Sequence, residues 1–412
     1  KDHNVNYVNN LSKPIISNNL NNQYLRCFNG LYNKLDIFHN NNDCFEKRLK
    51  KTKTGMGSRL WKQYICNPVV DIEILNKRYA QVETLLDTYH NIQKLLNIVD
   101  IERLYRRFSI RKLNPYELIK LDAAHINIIE LYNIYGNTKE FYIKKELWDD
   151  YNCFISKIRK IFDLNKCKNV ANNFTYNLGS TFHNVLPSVF NQGHNNTIDI
   201  MTHEWNTYYQ YMLDILANVN TQVFENTSKK RIIGLVLKSN DKEGYYLEST
   251  KNKCKLVQKQ FPNWIYKYNN TNCKIFPENF KNYSDKLSDI GIKIHTKSIE
   301  IFYDTIEQLY KEHYSKSISY ICVWISILDV MSSFACISKE NKYCKPNINY
   351  TNSGSYIHAT DIRHPIIEKL VNENQNISYV ANDILINQDN SYILYGINSS
   401  GKSSMLKIFN EK

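Results

Sequence analysis

The chain has 412 residues and carries 53 Lys and Arg against 40 Asp and Glu, a formal net charge of +13. That length allows about two to four domains with full apolar cores. Ten cysteines without a C-x-x-C pair exclude a disulfide-stapled miniature and a zinc ribbon, so the thiols are read as reduced, in an intracellular compartment. The basic excess favours a polyanionic partner such as nucleic acid, although a composition rich in Asn, Lys, Ile and Tyr, of the kind an AT-rich genome imposes, accounts for part of it. No apolar run reads as a membrane span, so no membrane partner is expected.

Residues 1 to 50 are polar and Asn-rich, with small apolar groups such as Leu35-Asp36-Ile37-Phe38, and read as short elements packed on a neighbour. Thr54-Gly55-Met56-Gly57-Ser58-Arg59-Leu60-Trp61 is a glycine turn feeding a helix that must end near Asn67-Pro68, because proline cannot continue it. Asp71 and Asp100 are placed to cap two more helices, with Leu75, Tyr79, Val82 and Leu86 on one face of the first and Leu104 and Phe108 inward on the second. Asn114-Pro115-Tyr116-Glu117 combines a capping side chain, proline at the first helical position and Glu at the third, and predicts a helix through Leu118, Leu121, Ile128 and Tyr135 to Gly136. Amphipathic stretches follow through Ile143 to Ile158 and Met201 to Val219, separated by an aperiodic connection around residues 164 to 198.

The pattern then changes. Ile232 to Leu237 and Tyr245 to Thr250 read as strands split by a turn over Ser239 to Glu243, a small antiparallel sheet inserted into a helical protein. Between Lys229 and Lys286 there are 13 basic and 5 acidic residues, so most of the net charge sits in this insert. Lys251, Lys253 and Lys255 alternate with Asn252, Cys254 and Leu256, and on a strand all three ammonium groups would share one face and track a phosphate backbone, with Lys259 and Lys267 extending the patch. Trp264, Tyr266 and Tyr268 have the rings to stack on bases but read better as packing residues. Two long amphipathic helices return, one through Ile294, Phe302, Ile306 and Leu309 and one through Ile318, Ile321, Ile325, Leu328 and Ala335. His125, His203, His295 and His313 lack spaced partners and read neither as metal ligands nor as catalytic bases.

Near the end, the apolar run Tyr392-Ile393-Leu394-Tyr395 leads into Gly396-Ile397-Asn398-Ser399-Ser400-Gly401-Lys402-Ser403-Ser404. This matches the phosphate-loop pattern G-x-x-x-x-G-K-[ST], in which backbone N–H groups wrap phosphates, Lys reaches the β- and γ-phosphates and the next hydroxyl holds Mg²⁺. A strand before the loop and a helix from Met405 after it complete the expected context. A nucleotide and Mg²⁺ are therefore expected, with Gly396, Asn398, Ser399, Ser400, Gly401, Lys402, Ser403 and Ser404 around the phosphates and Ser403 on the metal.

Together these segments resemble the MutS family of DNA mismatch-repair ATPases. Thr54-Gly55-Met56-Gly57-Ser58-Arg59-Leu60 is similar to the family's T-x-M-G-S-R-x-L turn, Gly244-Tyr245-Tyr246-Leu247-Glu248 to its G-Y-Y-I-E strand, Arg363-His364-Pro365-Ile366-Ile367-Glu368 to R-H-P-V-V-E, and Tyr379-Val380-Ala381-Asn382-Asp383 to F-V-P/A-N-D. The loop departs from the family's G-P-N-M-G-G-K-S-T at Ile397, Ser399, Ser400 and Ser404, and in that is similar to the branch of giant viruses and octocoral mitochondria. The triplet Phe276-Pro277-Glu278 is read as coincidence with the Phe-x-Glu by which the family stacks on a mismatched base, since it lies in the wrong region.

The resemblance implies a mainly α fold: a helical core with long lever helices, a small antiparallel β clamp that grips duplex DNA, and the beginning of an α/β, ABC-type P-loop ATPase domain. It implies a core and lever part over 1–197, the clamp over 198–286, returning lever helices over 287–345 and the start of the ATPase domain over 346–412. It also implies that the nucleotide is ATP, with Tyr379 stacked on the adenine. The chain reads as a piece of a longer one, with the residues that activate the attacking water beyond Lys412, so residues 1 to 412 alone are expected to be inactive. Expected partners are double-stranded DNA, mismatched or branched, and a second MutS-like subunit, a homodimer. The alternatives are a DNA-junction binding or anti-recombination protein without mismatch reading, and an SMC-like structural ATPase. The intracellular compartment would be a viral replication site in host cytoplasm, a nucleus or a mitochondrion.

Overall fold

The computed structural model describes residues 24–25, 30, 32, 37–38, 44–169, 188–225, 234–240, 243–350, 354–373, 378–387, 393–397, 401–402 and 405–406. Helices dominate, and most begin where the sequence supplies a cap. After α1 (Phe45–Leu49), α2 (Gly55–Cys66) starts behind Thr54, whose side chain accepts from the Gly57 N–H, and stops at Asn67 ahead of Pro68. Asp71 caps α3 (Ile72–Leu85) through the N–H groups of Glu73 and Ile74; α4 (Tyr89–Leu95) follows, and Asp100 caps α5 (Ile101–Ser109) through Arg103. The expected capping box opens α6 (Pro115–Tyr135), with Asn114 and Glu117 each bonding the other's backbone. Next come α7 (Lys145–Ile161), α8 (Leu164–Asn169) and α9 (Asn196–Asn220), the last running into a π-helical turn at Thr221–Glu225.

A four-stranded antiparallel sheet of order β1-β2-β4-β3 is then built from β1 (Val236–Asn240), β2 (Gly244–Thr250), β3 (Ile265–Tyr268) and β4 (Asn272–Phe276), with α10 (Lys251–Gln260) between β2 and β3. The first strand sits further along the chain than expected. Ser239 and Asn240, assigned to the turn, instead pair with Tyr245 and Gly244, because the tight turn needs only the residues between Asn240 and Gly244. α11 (Phe280–His313), a π-helical turn (Tyr314–Ile318) and α12 (Ser319–Asn341) form one long helical run. β5 (Ile357–Ile362) pairs antiparallel with β6 (Asn382–Ile386), and α13 (Pro365–Glu373) lies between them in sequence. The fold is therefore mostly helical with small antiparallel sheets.

The chain divides into two compact units, one of residues 97–137 and 142–325, the other of residues 1–96, 138–141 and 326–412. In the first, Tyr105, Phe154, Phe302, Ile306 and Leu309 are buried, and the Tyr105 ring meets those of Phe154, Tyr310 and Tyr314 at 6.2, 5.6 and 5.2 Å. The π-helical turn after α11 is pinned there by buried polar groups. His313 Nδ1 lies 3.1 Å from the Asp150 carboxylate, which also accepts from the Ser317 hydroxyl at 2.6 Å. One correction concerns the membrane reading. The run Phe280–Asn341 contains an 18-residue window apolar and uncharged enough to cross a membrane by length and composition, yet 78% of that window is buried within the protein, as befits a core helix.

In the second unit the glycine turn has a specific anchor. Asp329 on α12 is fully buried, and its carboxylate accepts from the Lys53 N–H (2.8 Å), the Thr54 N–H (2.7 Å) and the Thr54 hydroxyl (2.7 Å). A Cβ on Gly57 would lie 2.1 Å from Asp329 Oδ2, which is why this turn carries glycine. Burial pushes the Asp329 pKa up despite those donors.

His125 is buried edge-on against the Tyr151 ring at 5.3 Å, and its Nδ1 has no hydrogen-bond partner among the described residues. Burial, reinforced by the Arg159 charge, lowers its pKa from the ordinary 6.5 to about 4. The folded state thus holds the ring neutral while the unfolded chain takes up a proton. Its contribution to stability is complete above pH 6.5 and is lost as pH falls through about 4. Urea midpoints of wild type and His125→Gln, compared at pH 7 and pH 4.5, are expected to show a wild-type acid loss larger by on the order of 2 kcal/mol. Parallel losses in both proteins would remove His125 as the cause.

Candidate functional site

The basic insert is where charge and geometry meet. Gly244 pairs with Asn240 at the turn into β2 with φ +69°, and a Cβ there would meet Ser284 Oγ at 2.1 Å. Ser284 accepts from the Tyr245 N–H at 2.9 Å, so the glycine lets the strand sit hard against α11. Leu247, Cys273 and Ile275 are fully buried in the sheet, as are Cys254 and Val257 of α10.

The lysines leaving β2 are not on a strand, as the alternation suggested, but on α10. Thr250 turns the chain out of the ladder, and Lys, Leu and Gln are good helix formers. The deciding signal is the buried pair Cys254 and Val257, spaced by three as a helix requires and not by two. On a helix Lys251, Lys255 and Lys259 follow one another at four-residue steps and form one exposed stripe, while Lys253 falls on another side and is half-buried. The first turn of α10 has no acidic residue and Thr250 makes no side-chain cap, so lysines crowd the positive end of the helix dipole. An anion there would relieve both the uncapped N–H groups and the cationic turn.

Lys267 is placed differently. It sits on β3 in an ion pair with Glu243 (2.8 Å), which also binds Lys274 (2.6 Å), and lies 5.1 Å from the centre of the Phe276 ring. Hydrogen bonds from Lys267 and Lys274 hold the Glu243 carboxyl down at about 2. The Tyr266 and Tyr268 hydroxyls donate to Phe261 O and Gln258 Oε1, and Trp264 stacks on Phe261 at 4.2 Å, so all three aromatics have partners inside the insert. The reading of scattered reduced thiols is also corrected, because Cys254 of α10 and Cys273 of β4 are joined as a disulfide, with Cα atoms 6.3 Å apart. Packing a helix across the sheet brings together two cysteines that sequence spacing does not pair.

At the phosphate loop, Gly396, Ile397, Gly401 and Lys402 are described, whereas Asn398, Ser399, Ser400, Ser403 and Ser404 lie outside the described residues. Lys402 Nζ donates to the carbonyls of Gly396 and Ile397, so its ammonium closes back over the start of the loop. Gly401 takes φ +91°, and the Met405 N–H donates to Gly401 O at 2.9 Å, the first turn of the expected helix. An ammonium that meets two peptide oxygens among the described residues fits a phosphate ligand, whose charge would outcompete them. The expected strand before the loop is not formed. Ile393, Leu394 and Tyr395 are exposed and in no ladder, since no described strand lies beside them to supply the hydrogen bonds. Among the described residues no cluster of His, Cys, Asp or Glu is arranged to hold a metal. The Tyr379 hydroxyl accepts from the His364 N–H at 2.9 Å, which ties the expected adenine-stacking residue to Arg363-His364-Pro365.

Comparison with known proteins matches the family model of MutS domain III over residues 32–335. The DNA mismatch repair protein mutS homolog of Acanthamoeba polyphaga mimivirus is 28% identical over 93% of this chain and 36% of its own length. The DNA mismatch repair protein MutS of Caldicellulosiruptor bescii is 26% identical over 87% of this chain and 39% of its own, and that of Borrelia hermsii 25% identical over 98% and 45%. The chain thus spans less than half the length of these relatives. With the glycine turn anchored by Asp329, the antiparallel insert and the long buried helices all within or beside the matched range, the chain belongs to the MutS family.

Proposed function

We propose that the protein carrying this chain recognises mismatched duplex DNA and, as a dimer inside the cell, couples ATP binding and hydrolysis at Lys402 and Mg²⁺ binding at Ser403 to its grip on that DNA. The observation that carries the reading is the exposed stripe of Lys251, Lys255 and Lys259 rising from an uncapped, cationic helix start on the insert. Lys253 adds charge at the same end, whereas Lys267, held in an ion pair with the carboxylate it shares with Lys274, contributes least. Relatives named DNA mismatch repair protein MutS support the assignment of the DNA class. Gly396, Asn398, Ser399, Ser400, Gly401 and Ser404 would surround the phosphates, with Tyr379 on the base. ATP, when bound, supplies the phosphate whose presence or loss the chain senses.

A lysine stripe contacts phosphates and is blind to bases, so the same geometry also suits a branched-DNA binder. The test is the lifetime of the full-length protein on a mismatched duplex, a perfect duplex and a four-way junction, with and without ATP. Preference for the mismatch with an ATP-dependent lifetime is expected. Preference for the junction alone transfers the assignment to the branched-DNA reading. An ATP-independent lifetime, also unchanged in Lys402→Ala, ends the coupling reading.

A further inference from the structure

The long helix satisfies only part of its own C-terminus. α12 ends with Lys342 in the left-handed region at φ +54°, a conformation that residues other than glycine rarely adopt, and with the Tyr343 N–H donating to Ser338 O at 2.9 Å. The carbonyls of Asn341 and Lys342 are taken by the guanidinium of Arg363, whose Nη2 donates to them at 2.9 and 3.3 Å. A cation on the last carbonyls also complements the helix dipole. Nη1 of the same side chain donates to Glu368 on α13 at 2.6 Å, so Arg363 staples the end of α12 to the element that follows.

The next residue faces the other way along the same path. The His364 N–H donates to the Tyr379 hydroxyl at 2.9 Å, and His364 Nδ1 accepts from the N–H groups of Ile366 and Ile367 at 3.3 and 3.4 Å, capping α13. The hydrogen bond between Tyr379 and the His364 N–H and those between Arg363 and the last carbonyls of α12 are therefore joined by the Arg363–His364 peptide link, all within one compact unit. Beside it lies a cavity of about 670 Å³ lined by Trp61, Phe334, Ile337, Tyr343, Arg363 and Pro365. The Trp61 indole N–H and the Tyr343 hydroxyl, which both belong to its lining residues, have no hydrogen-bond partner among the described residues. The joint is not locked by close packing on that side, and Arg363 has room for a second arrangement.

We propose that Arg363 is a positioning residue through which the occupancy of the nucleotide site, sensed at Tyr379, biases the C-terminal end of α12. The proposal rests on the reading of the loop as an ATP site and of Tyr379 as its base-stacking residue. A base seated on the Tyr379 ring restricts the hydroxyl that His364 donates to, and Arg363, next in the chain, carries that restriction to the helix end. Such coupling requires contacts that differ between two states, which Arg363, with Nη2 on two carbonyls and Nη1 on Glu368, can make or release.

The test uses the full-length protein with Arg363→Gln, Arg363→Lys, Tyr379→Phe and the Arg363→Gln/Tyr379→Phe pair. Affinity for a fluorescent ATP analogue and the ATP-induced change in dissociation rate from a mismatched duplex are measured for each, with thermal midpoints as a check on folding. Arg363→Gln is expected to keep nucleotide affinity within about threefold while the ATP-induced change shrinks at least about fivefold. Tyr379→Phe, which removes the acceptor and keeps the ring, should shrink that change too, and the pair should show no further decrease. Arg363→Lys, charged but without the fork, should restore it only in part. An undiminished ATP response in Arg363→Gln and Tyr379→Phe overturns the proposal, and so does a fall in nucleotide affinity in Arg363→Gln that accounts for the missing response. A wild-type protein with no ATP response sinks the functional reading itself, a different result from a responsive wild type with responsive variants.

Discussion

Reversing Lys251, Lys255 and Lys259 to Glu together should lower DNA affinity by at least about a hundredfold near 100 mM salt and take about 2.7 units from the slope of log affinity against log salt. The three side chains follow one exposed line along α10, so one phosphate strand can meet all three. Every lysine that no longer neutralises a phosphate leaves close to one counterion condensed on the DNA instead of released. Reversal of Lys267 serves as the contrast, because it lies off the α10 stripe and is held in an ion pair with Glu243, so the slope should move less. Fluorescence anisotropy titrations of the full-length protein across a salt series read both quantities. A slope equal to wild type in the triple variant would strike these residues from the interface, whatever happened to affinity at one salt concentration.

Asp329→Ala is expected to destabilise the protein by about 3 to 5 kcal/mol, the range for breaking a buried charged network. Removing the carboxylate strands two backbone N–H groups and the Thr54 hydroxyl inside the protein, and each was bonded at 2.7 or 2.8 Å. Asp329→Asn keeps the shape and one acceptor oxygen and should cost less. Gly57→Ala should approach the alanine variant at Asp329, since the added methyl collides with the same carboxylate. Chemical denaturation of the three variants gives the order directly. Asp329→Ala within about 1 kcal/mol of wild type would mean that the turn holds without its anchor.

Much of this architecture can be read from local signals. The caps at Asp71, Asp100 and Asn114, the proline stop after Asn67 and the apolar stripes of the long helices all depend on residues within a few positions of one another, and the structure has helices in those places. The G-x-x-x-x-G-K-S run is legible for the same reason, as a local turn with a chemistry attached. The misreadings share one cause. Lys251 to Lys255 alternate in sequence, yet whether the segment is strand or helix was decided by which residues the neighbouring sheet buries, and that sheet includes strands β3 and β4, which the sequence pattern did not reveal.

The sequence by itself therefore determined the helices, the presence of an antiparallel insert, the concentration of positive charge in it and the G-x-x-x-x-G-K-S pattern, because each rests on near-neighbour spacing and side-chain chemistry. Only the tertiary structure decided which lysines share a face, that Glu243 pairs with Lys267 and Lys274, that Asp329 holds the glycine turn some 275 residues away in sequence, and that Arg363 completes the end of α12. Those are pairings between distant residues, and no local period encodes the partner of a buried carboxylate or of an orphan carbonyl at the end of a helix.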